Sequence, residues 1–356
     1  MSHSSASARE CDLCPSRGPG WDALADHLAA IYGDAPARYY VSDATLAQGG
    51  TDALDVIAVY AAEEGAPHWH LVSFGLSELD EKVFNKPEIS GFGLELSLRV
   101  MREADDERPP AWALELMQTL GCYVALTGRP HEPGQHLPLG PLDPERDSEL
   151  TAVIFAEDRV LGELDTPLGH LRYIQIVGIT ADERELCDAW DGEAFLDVLL
   201  GQEPMLLTDL ARPSLLADPV RAAALWARAE AEGSSSEGAF VEDLAWEPAE
   251  ELTLRIGALF LPALLRGLRH RLPQGRDFVL TTPNGRLRLA PGAVFGFDGS
   301  EDDLVLFLSG AEARALADEL TPRQGSYGCD AVPRLTVVVE ATEIRDDDGE
   351  IHEVIG

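Results

Sequence analysis

Residues 68–80, HWHLVSFGLSELD, combine the pattern of a β-strand with side chains that could carry chemistry. The apolar run around His68–Phe74 predicts a strand, and side chains on a strand alternate between its two faces. His68 and His70 would therefore share one face, with Trp69 on the other. Gly75 would let the chain turn after the strand, because glycine accepts most backbone angles at low cost. The question is whether the two histidines form a reactive centre or pack inside a sheet.

A metal site at His68 and His70 is the first alternative. Two histidines on one face can bind a transition metal, but a site needs at least three protein ligands, and local spacing supplies no third. Cys11 and Cys14 form a CxxC pair, yet no second pair of cysteines or histidines follows at the spacing of a closed zinc site. We therefore expect a packing role and no metal, with a metal-dependent enzyme using His68 and His70 as the alternative.

Other catalytic patterns are also missing from the sequence. The glycine-containing segments lack the order of a phosphate-binding loop, and Ser73 does not lie in a GxSxG motif. Among 63 acidic residues, neighbouring carboxylates are expected by chance. The one basic cluster, residues 264–276, could bind a carboxylate-bearing peptide, but pairing with the chain's own acids is favoured. The sequence predicts no catalytic residue and no cofactor.

The charge of the chain restricts its partners. The 356 residues carry 27 Lys and Arg against 63 Asp and Glu, a formal net charge of −36. Such a field repels nucleic acid and anionic membranes and attracts a cationic protein, while keeping the chain a soluble monomer. No run of 18 apolar residues predicts a membrane span, and the N-terminus has no apolar leader. Five cysteines, an odd number, indicate reduced thiols in a cytoplasmic protein.

The order of helices and strands predicts an α+β fold. Residues 91–100, GFGLELSLRV, alternate as a half-buried strand with Glu95 and Arg99 on its polar face, whereas residues 109–128 read as a helix. Helices and strands follow each other without regular βαβ alternation. We predict two mixed α/β domains joined by a flexible linker around GSSSEG. The predicted segments are a disordered tail (1–20), an N-terminal domain (21–218), the linker (219–248) and a C-terminal domain (249–356).

Several of these segments, taken in order, resemble the suppressor of fused family. The similar stretches are LAAIYG, DALDVIAVY, HWHLVSFGLSEL, SGFGLELSLRV, PAWALELMQTL, LDTPLGHLRYIQIVGIT, AWDGEAFLDVL and LLTDLARPS, with a looser match from residue 254 to 282. The resemblance covers about residues 22–340. It implies two domains, suppressor-of-fused-like at both ends, and no enzymatic activity. In animal members a short Gli peptide is held as an added strand between the two domains, a mode known as β-augmentation.

The resemblance also implies where a partner binds. Tyr123 matches a tyrosine of the peptide grip, Glu157 matches a glutamate at the end of the next strand, and Gln135 stands where animal members have an acid. The chain lacks the long insertion of animal members and is identified as a bacterial-type member. Such members are thought to be immunity proteins that neutralise a polymorphic toxin, and many of these toxins are basic. The alternative within the family is a regulatory scaffold unrelated to toxins.

Overall fold

The protein is described by a computed structural model that covers residues 9–11, 18–345 and 350–356. These residues form two compact units. The first contains the residues up to 185 together with residues 192–218, and the second contains residues 186–191 together with residues 219–356. Both units mix helices with β-sheet, so the predicted α+β fold with two parts is confirmed. Cys14 lies outside the described residues, and Cys11 is described only as part of a short strand.

The first unit is built around one large sheet. Its strands are β1 (Arg9–Cys11), β2 (Arg38–Val41), β3 (Val56–Ala62), β4 (His68–Phe74), β5 (Ile89–Met101), β6 (His136–Pro138), β7 (Leu150–Glu157), β8 (Glu163–Thr166) and β9 (Gly169–Thr180). Its helices are α1 (Pro19–Tyr32), α2 (Ala111–Thr127), α3 (Ala181–Ala189) and α4 (Gly192–Leu200), with α3 ending in the second unit. A short break near Asp191 separates α3 from α4.

The strand order explains which segments reach the sheet edge. The strands follow the order β1-β2-β3-β4-β5-β9-β7-β6, and β8 pairs with β9. Every neighbouring pair is antiparallel except β5 and β9. One face packs against α2 through Leu71, Leu98 and Phe155, and the opposite face packs against α1 through Val72 and Phe74. The short strand β6 lies at one edge, next to β7.

Strand β4 has the alternation that its sequence predicts. All seven residues of His68–Phe74 are buried because helices cover both faces of the sheet. Trp69 packs on the α2 face, which leaves His68 and His70 on the α1 face. Gly75 has a φ of 132°, and a Cβ there would lie 2.7 Å from the backbone nitrogen of Asp55. The turn after β4 therefore requires glycine.

The prediction that residues 91–100 form a half-buried strand is wrong in one respect. These residues belong to β5, but Glu95, Ser97 and Arg99 are as deeply buried as the leucines that alternate with them. These polar side chains are buried because they lie on the face of the sheet that packs against α1. Its charged groups are satisfied by other polar side chains instead of water.

The second unit contains three further sheets. Its helices are α5 (Pro219–Glu232), α6 (Leu261–His270) and α7 (Gly310–Glu319). Its strands are β10 (Gly238–Phe240), β11 (Leu244–Pro248), β12 (Leu252–Gly257), β13 (Phe278–Thr282), β14 (Gly285–Pro291), β15 (Gly296–Gly299), β16 (Asp303–Leu308), β17 (Gly325–Gly328), β18 (Leu335–Glu340), β19 (Thr342–Arg345) and β20 (Ile351–Ile355). The sheets have the orders β10-β13-β14-β16-β15, β11-β12-β18-β17 and β19-β20, and α6 and α7 pack on a core of leucine, valine and phenylalanine.

Most of residues 219–248, predicted as a flexible linker, is helix and strand in the structure. Helix α5 and strands β10 and β11 occupy it. Ser234, from the GSSSEG stretch, is buried and donates its hydroxyl to the carbonyl of Asp188 at 2.8 Å. Arg271 donates to the carbonyl of Ser234 at 2.9 Å. These bonds hold the segment inside the second unit, while the role of the two units as separate domains stays a prediction.

The basic cluster of residues 264–276 has two roles. Arg266 pairs with Asp188, and Arg269 lies 3.7 Å from Asp318, as the prediction of internal ion pairs requires. Arg271 and Arg276 instead donate to main-chain carbonyls around the end of α5, at Ser234 and Glu232. Carbonyls at a helix C-terminus have no partner within the helix, so these arginines satisfy them.

Candidate partner-binding site

His70 belongs to a buried network of polar side chains. Its Nδ1 is hydrogen-bonded to the hydroxyl of Tyr32, and its Nε2 lies 3.3 Å from Oδ2 of Asp158. Burial, reinforced by the nearby charge of Arg99, lowers the pKa of His70 to about 4. His68 is hydrogen-bonded to the carbonyl of Ala66 at 2.8 Å. Both histidines are therefore engaged by groups of the fold itself.

Asp158 is the centre of this network. It accepts hydrogen bonds from Ser97 at 2.5 Å and from Arg99 at 2.7 Å, and from the backbone N–H groups of Val160 and Leu161, both at 2.9 Å. Burial alone would raise the pKa of Asp158, but His70 and Arg99 hold it well below its usual range. The network joins β4, β5 and the turn after β7. Within residues 18–345 and 350–356, no group of three His, Cys, Asp or Glu side chains is arranged to hold a metal ion.

Three stacked rings lie at the end of α2. Tyr123, on the last turns of this helix, is 40% exposed and stacks on His131 with ring centroids 5.2 Å apart. His131 in turn stacks on Phe155 of β7, with centroids 3.9 Å apart and planes inclined by 9°. His131 is 1% exposed, and its burial lowers its pKa to about 4, so the ring is neutral at neutral pH. The exposed tyrosine therefore rests on a rigid, uncharged support.

Gln135 is hydrogen-bonded to the backbone of Phe155. Its carbonyl accepts the backbone N–H of Phe155 at 2.9 Å, and its side-chain oxygen accepts the backbone N–H of Glu132 at 3.0 Å. The side chain of Gln135 therefore closes a turn at residues 132–135 and stabilises the loop. An acid at this position, as in animal members, would bring a charge that the amide lacks.

Glu157 ends β7 at an edge where strand pairing stops. In a β-strand, the main-chain N–H and C=O groups of alternate residues point to the same neighbouring strand. Those of Phe155 are hydrogen-bonded to Gln135 and Gly134, so those of Glu157 point to the same side of β7. Continuing the register of β6 and β7 would place Pro133 opposite Glu157. Proline has no N–H and cannot continue the ladder. Along the described part of the chain, no strand follows β6 at this edge.

The three predicted residues are thus related to one residue of β7, Phe155. Tyr123 reaches it through His131, Gln135 binds its backbone, and Glu157 follows it by two residues on the same face. Sequence reasoning did not single out His131 or Phe155. His131 lies in a loop rich in proline and glycine, and nothing in its local spacing indicates that it is buried under a tyrosine.

The sequence of the chain matches a family model. The model described as suppressor of fused protein (SUFU) matches residues 50–213. The suppressor of fused homologs of Homo sapiens and Mus musculus are each 35% identical to the chain over 180 residues. Each alignment covers 46% of this chain and 37% of the relative, so the chain spans little more than a third of the length of these relatives.

Solved structures share the fold. The crystal structure of Drosophila suppressor of fused has a TM-score of 0.73 at 21% identity, covering 92% of this chain and 98% of that one. A chain of the Sufu–Fu complex crystal structure is 30% identical with a TM-score of 0.55, covering 59% of this chain and 98% of that one. That second chain was solved in complex with Fu. Within the described residues, no helix is both long and apolar enough to cross a membrane.

Proposed function

Because the chain belongs to the suppressor of fused family, we propose that it is a non-enzymatic, cytoplasmic module that captures a segment of a partner protein. The segment binds as an added strand at the open end of β7, after Phe155, beside Tyr123 and Glu157. The observation that supports this most is the end of strand pairing opposite Pro133, next to an exposed tyrosine held on stacked rings.

The chemistry of this edge suits an extended peptide. Main-chain N–H and C=O groups at the end of β7 would supply hydrogen bonds that do not depend on sequence, and neighbouring side chains would supply specificity. Tyr123 offers a large ring with few rotatable bonds, and tyrosine is common among residues that dominate binding energy. The carboxylate of Glu157 is exposed and would favour a cationic or hydrogen-bond-donating side chain in the partner.

The net charge supports a basic partner. A formal charge of −36 steers a cationic protein toward the chain and raises its rate of association at low salt. We infer that the partner is a basic toxin and that the chain is a bacterial-type immunity protein. A regulatory partner unrelated to toxins would use the same edge, and the identity of the bound protein separates the two.

The resemblance adds that the second unit closes on the bound segment. A clamp of this kind predicts that binding makes the chain more compact. Small-angle scattering with and without the bound partner measures this, and identical profiles would argue against a clamp.

The test of the function uses the protein encoded beside the chain's own gene. We expect the two purified proteins to form a complex, and Glu157→Arg to weaken it at least tenfold because the reversed charge repels a basic segment. Glu353→Arg makes the same charge change at an exposed strand residue of the second unit and serves as the control. No binding to any neighbouring product at low salt contradicts the toxin partner. Equal losses in both variants contradict the site.

A further inference from the structure

An apolar protrusion lies between the only two lysines of the chain. Lys82 and Lys86 flank Val83 and Phe84 in the segment KVFNK, which precedes β5. The side chain of Val83 is 73% exposed and that of Phe84 is 41% exposed. Single exposed apolar residues are common on protein surfaces, but two neighbouring ones on a loop between cations mark an unusual patch.

The fold holds this loop in place. The carboxylate of Glu78, itself nearly buried, accepts the backbone N–H groups of Val83 and Phe84, the latter at 2.6 Å. It also accepts the backbone N–H of Gly91 at 3.2 Å. Lys82 donates to the same carboxylate at 2.6 Å and to the carbonyl of Leu168 at 3.0 Å. A fixed loop loses little conformational entropy when a partner binds, which favours affinity.

Phe84 forms one wall of an open groove. Its ring meets that of Phe92 edge-on, with centroids 5.1 Å apart, at the point where the pairing of β5 with β9 is interrupted between Ile89 and Leu94. The groove has a volume of about 430 Å³ and also touches the loop after α2. This is room for a large apolar side chain against the two phenylalanines.

The rim of the groove carries positive charge in an acidic protein. Lys86 and Arg172 line it together with Glu132. Arg172 pairs with Glu132, whose backbone N–H is bound by Gln135 of the candidate site. Lys86 has no ion pair among the residues that the structure describes. The groove is thus connected to the β7 edge by the turn at residues 132–135, and its available cation favours an anionic group.

We propose that this groove, defined by Phe84, Phe92 and Lys86, is a second anchor for the same partner, taking a large apolar side chain that stands next to an acidic residue. The inference rests on the proposed function and adds a contact away from the β7 edge. The partner can be basic as a whole, because net charge acts over the length of the protein while Lys86 reads only a neighbouring carboxylate.

Selection of a random twelve-residue peptide library displayed on phage, with the full chain as bait, tests the groove. We expect one class of enriched peptides to carry Phe, Trp, Leu or Met beside Asp or Glu. Phe84→Ala should reduce the enrichment of this class at least tenfold. With Lys86→Glu as bait, the enriched peptides should carry Lys or Arg in place of the acidic residue. Lys86 is exposed, so its variant keeps the test valid if Phe84→Ala unfolds the loop.

Controls separate this inference from the proposed function. Phe307→Ala removes an exposed phenylalanine of the second unit and should leave the class intact. Peptides that depend on Glu157 but not on Phe84 or Lys86 would overturn the groove and leave the β7 edge standing. Peptides with the apolar–acidic pair that persist in both Phe84→Ala and Lys86→Glu would also overturn the groove. Enrichment of no peptide at all would overturn both proposals.

Discussion

The imidazole of His131 is stacked between Tyr123 and Phe155, and its ring centroid lies 3.9 Å from that of Phe155. Burial lowers the pKa of this ring to about 4, so the stack contains a neutral imidazole near neutral pH. His131 is therefore a positioning residue: it carries the exposed tyrosine without itself being accessible to a partner.

Replacing His131 with phenylalanine should alter the pH dependence of stability. The folded pKa of about 4 lies below the unfolded value near 6.5, so the unfolded state binds more protons between these values. The titration of His131 therefore makes the free energy of unfolding rise with pH in this window, and His131→Phe should remove this contribution of about 1 kcal/mol. Urea unfolding at pH 5.0 and 7.5 measures it. An unchanged slope would show that His131 titrates in the folded protein as it does in the unfolded chain.

Tyr123→Ala should weaken partner binding at least tenfold while changing the free energy of unfolding by less than about 1 kcal/mol, since the ring is 40% exposed. Leu126→Ala is the matched control, because Leu126 lies on the same helix and is 74% exposed. Titration calorimetry of the complex gives the affinities. Equal effects of the two substitutions would indicate that the end of α2 contributes contact area without a specific role for the tyrosine.

Glu95 predicts a pH dependence of opposite sign. Its buried carboxyl group accepts hydrogen bonds from Ser73 at 2.5 Å and Ser77 at 2.6 Å, and burial still raises its pKa to about 7. Between pH 4.5 and 7 this carboxyl group binds more protons in the folded state than in the unfolded state, so its titration makes the free energy of unfolding fall as pH rises. A shift of this size corresponds to a loss on the order of 3 kcal/mol.

Glu95→Gln should remove this loss. The measurement is the difference in unfolding free energy between variant and wild type at pH 5.0, 6.0 and 7.5, in which contributions from the histidines cancel. Glu88→Gln changes an exposed glutamate just before β5 and serves as the control. A difference between Glu95→Gln and wild type that stays constant with pH would contradict the raised pKa.

Asp158→Asn should be among the most destabilising single substitutions in the first unit. Removing the carboxylate leaves the buried guanidinium of Arg99 without its charged partner, which typically costs about 3–5 kcal/mol. Asp165→Asn alters an exposed acid that lies 2.9 Å from His170 and should cost less than about 1 kcal/mol. Denaturant unfolding followed by tryptophan fluorescence compares them. Similar costs for both would mean that water compensates Arg99.

The sequence predicts local structure better than it predicts which side chains contact each other across the fold. The alternation of β4 and β5 can be predicted because side chains two residues apart share a face of the sheet. The turn at Gly75 can be predicted because glycine adopts backbone angles that other residues avoid. The burial of Glu95 and Arg99 is not legible, because it depends on α1 covering a face that looks polar in isolation. Arg99 pairs with Asp158, which is 59 residues away in the sequence, so no local pattern predicts this ion pair. The positions of Tyr123, Gln135 and Glu157 follow from family resemblance, whereas their convergence on Phe155 emerges only from the fold.

Gly192 links the stability of the fold to the geometry of the candidate site. It begins α4, and a Cβ at this position would lie 1.9 Å from the carbonyl oxygen of Gly134. No real side chain fits at that distance, so Gly192→Ala must push α4 and the turn at residues 132–135 apart. That turn carries Gln135 and ends the pairing along β7. We therefore expect weaker partner binding, at least tenfold, together with a lower melting temperature.

Gly296→Ala is the matched control, because a Cβ at Gly296 meets nothing within 4 Å and its backbone suits any residue. Melting curves and binding titrations of both variants separate the two effects of Gly192→Ala. Full affinity in a Gly192→Ala protein that remains folded but melts earlier would show that the edge of β7 binds its partner independently of the turn. A clear loss of affinity in Gly192→Ala would instead show that Gln135 and the open end of β7 belong to one recognition surface. The two are joined by the backbone of this turn, so moving the turn moves both.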